Sequence, residues 1–194
     1  MARITDQKRI DRLKESTMKL VVAHGFGGAS VSLIANDAAV ASGYFYLHYK
    51  GKYEMVNALL QDVYQEIVGK LEELTMKGSG FNSIIENLIR HFFQMANNDP
   101  VKLKFLYVLT HDYNFVIAKE MRENIYGLIQ KVKELGHVSG ELDKMLNEDD
   151  IYLCVILNTV QFINQQYKKA SKDIILKKKD EDHLIYLTKK LLQQ

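Results

Sequence analysis

Apolar residues recur every three or four positions through most of the chain, which is the spacing of an amphipathic helix. The first such segment covers residues 6–24, and its apolar positions are Ile10, Leu13, Leu20 and Val21. Gly25 follows at the place where the end of a helix favours a left-handed residue. The pattern therefore predicts a first helix that ends at Gly25.

Two short helical segments follow this first helix. Ser30 is a favoured N-cap residue, and the small or apolar positions after it at helical spacing are Val31, Ile34, Ala35 and Ala38. A second short helix is predicted from Ser42 to Tyr49, closed by Gly51. Two short helices that are joined by a tight turn and preceded by a longer helix form a helix-turn-helix pattern.

The rest of the chain also has helical periodicity. A long helix is predicted over 52–76, and it ends at the linker 77–80. The further predicted helices are 81–97, 100–110 with Asp99 as N-cap, 114–135 stopped by Gly136, 148–167 and 180–192. The single proline and the few alternating β-branched runs argue against a β-rich chain. We therefore predict an all-α fold of about nine helices.

Composition narrows the class of protein. The 194 residues contain one cysteine, which excludes a disulfide framework and a zinc site built on clustered cysteines. Apolar runs are too short for a membrane span, and the N-terminus lacks the apolar core of a signal peptide, so we predict a cytoplasmic protein without a membrane partner. Residues 1–55 carry eight Lys or Arg and five Asp or Glu, a net +3 in a chain of net +2. This asymmetry is compatible with nucleic acid but does not establish it.

The segment 8–60 carries several signature residues in one register: Gly25-Phe26, Ser30-Val31, Ile34-Ala35, Val40, Gly43, Phe45-Tyr46, His48-Tyr49 and Lys52. In this register it resembles the TetR family of bacterial transcriptional regulators. The resemblance implies an N-terminal three-helix DNA-binding domain over residues 1–52. It also implies a helical ligand-binding and dimerisation domain over residues 53–194.

Three positions depart from the family pattern. Ala39 stands where family members commonly have glycine before the valine of the turn, and Ala41 replaces the usual capping Ser or Thr of the recognition helix. Ser42 is then the predicted cap, one residue later. Tyr44 occupies a position where a small hydroxyl residue is common, so the bases that are read do not transfer from the family.

The second short helix supplies the predicted DNA contacts. Val40, Phe45 and Tyr49 are expected to point inward, which leaves an outer face with hydroxyls, a glycine and an apolar side chain that suit base edges and the thymine methyl. By resemblance, Tyr46, His48 and Lys52 hold backbone phosphates, although the tyrosines at helical spacing also fit a plain core. The predicted DNA-binding residues are Ser30, Ser42, Gly43, Tyr44, Tyr46, Leu47, His48 and Lys52.

The C-terminal part contains semi-polar and aromatic residues inside otherwise apolar helices. The resemblance implies a small-molecule inducer, and this mixture fits a flat, largely apolar ligand with one or two polar groups. The predicted ligand-binding residues are His91, Met95, Tyr107, His111, Met121, Tyr126, Asn158, Gln161 and Phe162. The alternative interpretation is that each of these is an ordinary core residue.

The predicted helix over 148–167 is apolar on more than one face, which suggests two neighbours. One is its own core, and the other is a second subunit. The predicted dimer interface comprises Ile151, Val155, Thr159, Ile163, Leu184, Leu187 and Leu191. A twofold dimer would present two recognition helices to successive major grooves about 34–36 Å apart and would bind a pseudo-palindromic operator.

The leading hypothesis is a homodimeric repressor that a small molecule releases from double-stranded DNA. The alternative is a constitutive DNA-binding dimer or adaptor without an effector. The sequence contains no Gly-rich phosphate loop, no His-Glu-x-x-His spacing and no nucleophile elbow, so we expect no enzyme, no catalytic residue, no metal and no cofactor. Scattered His and Asp residues that converge in space would be needed for an enzyme.

Overall fold

The computed structural model describes residues 2–169 and 174–193. Within these residues the regular structure is entirely helical, which confirms the all-α prediction. The elements are α1 (Ala2–Gly28), α2 (Val31–Asp37), α3 (Ser42–His48), α4 (Lys52–Met76), α5 (Phe81–Asn98), α6 (Pro100–His111), α7 (Lys119–Ser139), α8 (Glu148–Ile151), a π-helix (Tyr152–Leu157), α9 (Asn158–Lys169) and α10 (Lys178–Leu192).

The first helix changes direction at Gly25. This residue has φ +72° and ψ 171°, so the regular helix ends there, as the sequence predicts, and a single further turn reaches Gly28. A glycine adopts this left-handed backbone without the steric cost that a Cβ atom imposes. Gly25 thereby sets the direction in which the chain enters α2.

The turn between α2 and α3 departs from the prediction in one detail. Ser30 caps α2 as predicted, since its Oγ accepts a hydrogen bond from the Leu33 amide at 3.1 Å. The predicted cap at Ser42 is wrong, because Ser42 is already the first residue of α3 and Ala41 is the N-cap, without a side-chain hydrogen bond. Ala39 has φ +52°, which is the conformation that favours glycine at this position.

The chain folds into two compact units. The first unit comprises residues up to Val63 together with Lys104–Ala118. Its core contains Leu13, Val21, Ile34, Phe45, Met55 and Val56. The predicted division at residues 52 and 53 separates functions rather than compact units, and it remains a prediction.

The second unit comprises Tyr64–Leu103 and the chain from Lys119 onwards. Its central helix is α5, which packs against α7, α9, α10 and the π-helix. Helix α7 corrects the prediction of a helix over 114–135 stopped by Gly136, because it runs through this buried glycine to Ser139. A Cβ atom at Gly136 would lie 2.7 Å from Leu142 Cβ and from the Phe81 ring. The glycine therefore allows a close approach and does not end the helix.

The helical stretch 148–169 has three consecutive parts. Asn147 opens it with a capping box in which its side chain accepts from the amide of Asp150 while the Asp150 carboxylate accepts from the amide of Asn147. The π-helix Tyr152–Leu157 then interrupts the α-helical register before α9 continues. When α8, the π-helix and α9 are counted as one helical stretch, the described residues contain nine such stretches, in agreement with the predicted number. Wider π-turns of this kind occur frequently at functional sites.

Candidate nucleic-acid interface

Helix α3 leaves most of its side chains in solvent. Phe45 is fully buried, whereas Tyr46 is 58% and Leu47 is 78% exposed. Ser42, Gly43 and His48 are exposed as well, and no atom lies within 4 Å of a Cβ placed at Gly43. The structure therefore gathers five predicted DNA-binding residues on the surface of one short helix. A surface with hydroxyls, an apolar side chain and a bare glycine has the groups that read base edges and thymine methyls.

Tyr44, also predicted to bind DNA, is tied to the first helix instead. Its hydroxyl donates to Asp6 Oδ1 at 2.5 Å, and the Asp6 carbonyl oxygen lies 3.1 Å away. Its ring meets the ring of His48 edge-on, with centroids 4.8 Å apart. Because the hydroxyl already has an acceptor, Tyr44 positions α3 against α1 in this structure.

Lys52, predicted to hold a phosphate, lies at the start of α4. Its Nζ donates to the carbonyl oxygen of Phe26, lies 3.4 Å from that of Gly27, and stands 4.4 Å from the centroid of the Phe26 ring. Burial lowers the pKa of Lys52, and the Asp112 carboxylate opposes this shift. The ammonium group of Lys52 therefore stabilises the last turn of α1 at Phe26 and Gly27, and a phosphate would compete with these contacts.

Asp112, just after α6, also stabilises the last turn of α1. Asp112 Oδ2 accepts from the amide of Phe26 at 3.0 Å, and Oδ1 accepts from the amide of Asn114 at 2.9 Å. The Asn114 amide is the main cause that lowers the pKa of the Asp112 carboxyl. Phe115 packs against the ring of Phe26, with centroids 5.1 Å apart. The sequence does not predict the contact between Asp112 and Phe26, because no local pattern links residues 86 positions apart.

The predicted ligand-binding residues are divided between the two compact units. Tyr107 and His111 belong to the first unit and stack on each other at 4.3 Å. The other seven belong to the second unit, where Met95 is buried and the rest are half-buried. His91 is bound through Nε2 to the carbonyl oxygen of Glu66 at 3.2 Å, and burial is the main cause that lowers its pKa.

A small cavity lies in the core of the second unit. Its volume is about 10 Å³, and it is lined by Leu71, Ile84, Ile85, Leu88, Ile129, Val132, Ile151, Val155 and Ile156. The lining is entirely aliphatic and includes none of the predicted ligand-binding residues. A space of this size is at the lower limit for a single water molecule, which an apolar lining would not hold. The π-helix supplies two of the lining side chains, Val155 and Ile156.

A group of tyrosines lies on the helices that line this cavity. The hydroxyls of Tyr64 and Tyr152 are 3.1 Å apart, and the Tyr126 hydroxyl donates to Asp149 Oδ1 at 2.7 Å. Burial, followed by the bond to Asp149, raises the pKa of Tyr126 to about 12. Burial also raises the pKa values of Tyr64 and Tyr152. All three hydroxyls therefore stay protonated at neutral pH.

The predicted dimer residues fall into two groups. Five of them are buried within the single chain: Ile151, Val155, Thr159, Ile163 and Leu184. Leu187 and Leu191 are exposed, and so are Leu153 on the π-helix and Tyr186 on α10. The apolar side chains that remain exposed on these helices are therefore in the second group, while the first group packs in the core of its own unit.

In residues 2–169 and 174–193, no three His, Cys, Asp or Glu side chains come together in a way that would bind a metal ion. Of the helices seen in the described part of the chain, none combines the length and the apolar character that crossing a bilayer requires.

The order of α1, α2 and α3, with an exposed face on α3, is that of a helix-turn-helix fold. Residues 14–59 match the family model described as bacterial regulatory proteins, tetR family. Over this segment, which includes α2, α3 and the start of α4, the chain is similar to the TetR family of bacterial regulatory proteins.

A curated relative and several solved structures are similar to the chain over a longer stretch. The chain is 24% identical over 137 residues to the fatty acid metabolism regulator protein of Bacillus subtilis (strain 168). This match covers 69% of the chain and 64% of the relative. The matched part of the chain therefore spans less than two thirds of the length of this relative.

Three solved structures share the fold over nearly the whole chain. A TetR family regulator from Marinobacter aquaeolei VT8 has a TM-score of 0.75 at 16% identity, covering 99% of this chain and 98% of that one. The MbdR regulator from Azoarcus sp. CIB also has 0.75 at 16%, covering 96% and 100%. FadR from Bacillus subtilis, in complex with stearoyl-CoA, has 0.71 at 15%, covering 95% and 100%.

Proposed function

We propose that this chain is a transcriptional repressor that binds a pseudo-palindromic operator as a homodimer and leaves it when an effector with a long alkyl chain binds. The observation that carries the DNA-binding part is the surface of α3, where Leu47 is 78% and Tyr46 is 58% exposed. Large apolar side chains in solvent on a recognition helix indicate a partner surface. The major groove is the partner that a helix of this motif fits.

The contacts in the groove follow from the chemistry of the exposed side chains. Leu47 suits a thymine methyl, the Ser42 hydroxyl suits either a donor or an acceptor on a base edge, and Gly43 allows the helix to approach closely. Tyr46 and His48 suit the flanking phosphates. Phosphate contacts set the position of the helix, while the base contacts carry sequence specificity.

The homodimer is supported by exposed apolar side chains on neighbouring helices of the second unit. Leu153, Tyr186, Leu187 and Leu191 are exposed, and α10 packs against the π-helix. Replacing Leu187 and Leu191 together with Glu is expected to give monomers in analytical ultracentrifugation. The exposed pair Val138 and Met145, replaced in the same way, serves as the control. Dimers that persist in the first variant would contradict this interface.

The effector is inferred from the lining of the cavity and from the relatives. Nine Leu, Ile and Val side chains line the cavity, which suits an alkyl chain better than an aromatic ring. A relative by fold was solved with stearoyl-CoA, and a curated relative is named a fatty acid metabolism regulator. Because the cavity measures only about 10 Å³, binding requires that the core opens.

The response to the effector then follows as a shift between two states. A ligand that binds only the opened core favours that state in proportion to its difference in affinity for the two. Helix α4 contributes residues to both compact units, so a change along it reaches the DNA-binding part. Titrating a preformed operator complex with acyl-CoA esters of increasing chain length is expected to release the DNA above a threshold length. Coenzyme A alone is the control.

A constitutive DNA-binding dimer remains the second candidate. The small volume of the cavity that the structure describes in the second unit, about 10 Å³, favours it. The two candidates differ in the titration above, because a constitutive binder keeps its DNA at every acyl chain length.

Selection of bound sequences from a random DNA pool at two salt concentrations tests the DNA-binding proposal. We expect enrichment of a palindrome with half-sites one helical turn or more apart, and a steep fall of affinity with salt. Recovery of no enriched sequence would contradict the proposal. An enriched but asymmetric single site would contradict the homodimer.

A further inference from the structure

Three basic side chains lie together on the N-terminal part of α1. Lys8, Arg9 and Arg12 are exposed, and at 3.6 residues per turn they fall within an arc of about 100° on the helix. Together with Asp11 they line one hollow on the surface. Asp11 is the acidic residue in this group, and it accepts a hydrogen bond from Gln7 at 2.8 Å.

These cations differ from the lysines further along the same helix. Lys14 forms an ion pair with Asp62 at 3.6 Å, and Lys19 forms one with Asp37 at 3.0 Å. Among the residues that the structure describes, Lys8, Arg9 and Arg12 form no ion pair. Their charges are therefore available to an anionic partner.

Tyr44 links this basic surface to the recognition helix. The Tyr44 hydroxyl donates to Asp6 on α1, and the guanidinium carbon of Arg9 lies 5.9 Å from the centroid of the Tyr44 ring. The same ring contacts His48 at the end of α3. Arg9 is consequently held beside α3, and Lys8 and Arg12 lie on the same arc of α1 as Arg9.

We propose that Lys8, Arg9 and Arg12 form a second DNA contact, which binds the phosphates of the strand that borders the groove entered by α3. This inference rests on the proposed DNA-binding function. A helix about 10–12 Å across fills a major groove about 12 Å wide, so side chains packed on its flank face the bordering backbone. Arg9 and Arg12 carry guanidinium groups, whose fork of donors matches phosphate oxygens.

Phosphate contacts of this kind have a distinct signature. They carry no sequence information, so losing them weakens binding to every duplex by a similar factor. Each lost contact also lowers the slope of log K against log salt by about 0.9. Loss of a base contact on α3 would instead reduce the preference for the operator over other sequences.

The test compares two variants with the same change in charge. Arg9→Gln with Arg12→Gln removes two charges of the proposed surface, while Lys131→Gln with Lys144→Gln removes two exposed charges from the second unit. Affinities for the selected operator and for a random duplex of the same length are measured over a series of salt concentrations. Thermal unfolding of each variant checks that the fold is kept.

We expect the arginine variant to bind both duplexes more weakly, with a smaller salt slope on each and an unchanged operator preference. The lysine control keeps the wild-type slope. A wild-type slope in the arginine variant would overturn the inference, as would an equal reduction in the control. Failure of the proposed function would give a different result, because the wild-type protein would then prefer no DNA sequence. The salt slope of each variant on the random duplex could still be measured in that case.

Discussion

Helices α3 and α5 differ in the share of their apolar side chains that is buried. Helix α5 buries nine side chains, among them Phe92 and Phe93, in the core of the second unit. Helix α3 buries only Phe45 and leaves Tyr46 and Leu47 in solvent. Tyr46 and Leu47 contribute little to the core of their own unit, and we propose that they face DNA instead. The contrast separates residues that stabilise the fold from residues that are proposed to bind DNA, and substitutions in the two helices should separate stability from affinity.

The largest expected effect is on the buried side of this comparison. Phe92→Ala removes a fully buried ring from α5 and should lower the free energy of unfolding by about 3–5 kcal/mol. Chemical denaturation followed by circular dichroism measures the change. Leu47→Ala is the control, because substitution of an exposed residue should change stability by less than about 0.5 kcal/mol. Equal losses in the two variants would mean that Leu47 belongs to the fold.

The next effect is on the exposed side. Leu47→Ala should weaken binding to the selected operator by about tenfold, because a base contact contributes about 1–3 kcal/mol of discrimination. Fluorescence anisotropy with a labelled operator duplex measures this. Val138→Ala, which shortens an exposed apolar side chain near the end of α7, should leave operator affinity nearly unchanged. An unchanged affinity in Leu47→Ala would remove this residue from the interface.

A smaller effect is expected in the turn that joins α2 and α3. Ala39→Gly should stabilise the protein by about 1 kcal/mol, since glycine adopts the observed φ of +52° without the penalty that a Cβ atom carries. Thermal unfolding should show a higher Tm. The same substitution at the neighbouring Ala38, which has a helical φ of −73° and is buried, should lower the Tm. A lower Tm for Ala39→Gly would contradict the strained turn.

The smallest effect concerns pH. Burial lowers the pKa of His91, so the unfolded chain binds a proton at a higher pH than the folded chain does. Stability should therefore be complete above the unfolded pKa of about 6.5 and should fall as the pH drops below it, levelling off beneath the folded pKa. Because His91 is partly exposed, the decrease in Tm should stay below about 2 °C. His91→Gln should flatten this part of the pH profile, and an unaltered profile would assign the decrease to other groups.

The sequence predicts most of the helices because each has a continuous apolar stripe. The bounds of α4 agree with the prediction at both ends, since Lys52 follows a glycine and Met76 precedes a glycine-rich linker. The predicted bounds of α7 are wrong because contacts outside the apolar pattern of the helix decide them. Asp112 accepts a hydrogen bond from the amide of Asn114, and Asn114 lies outside the helix. Gly136 allows Phe81 and Leu142 to approach the helix closely, so it does not end the helix.

The candidate site is predictable to the extent that it lies on one helix. Helical spacing identifies Leu47 and Tyr46 as outward and Phe45 as inward, and the structure agrees. Hydrogen bonds over long separations are not predictable in this way. The bond from Tyr44 to Asp6 spans 38 positions, and the contact of Lys52 with Phe26 spans 26. Neither pair has a spacing that signals contact, so two predicted DNA-binding residues have partners within the protein.

The exposed face of α3 is proposed to read a specific DNA sequence, and the DNA-binding function depends on this. The most direct measurement is the affinity of the wild-type protein for the selected operator and for a scrambled duplex of the same length and composition, at one salt concentration. We predict that the operator binds at least about 10³-fold more tightly, as specific DNA-binding proteins do. Equal affinity for the two duplexes would show that the exposed face of α3 does not read sequence, and would contradict the proposed function.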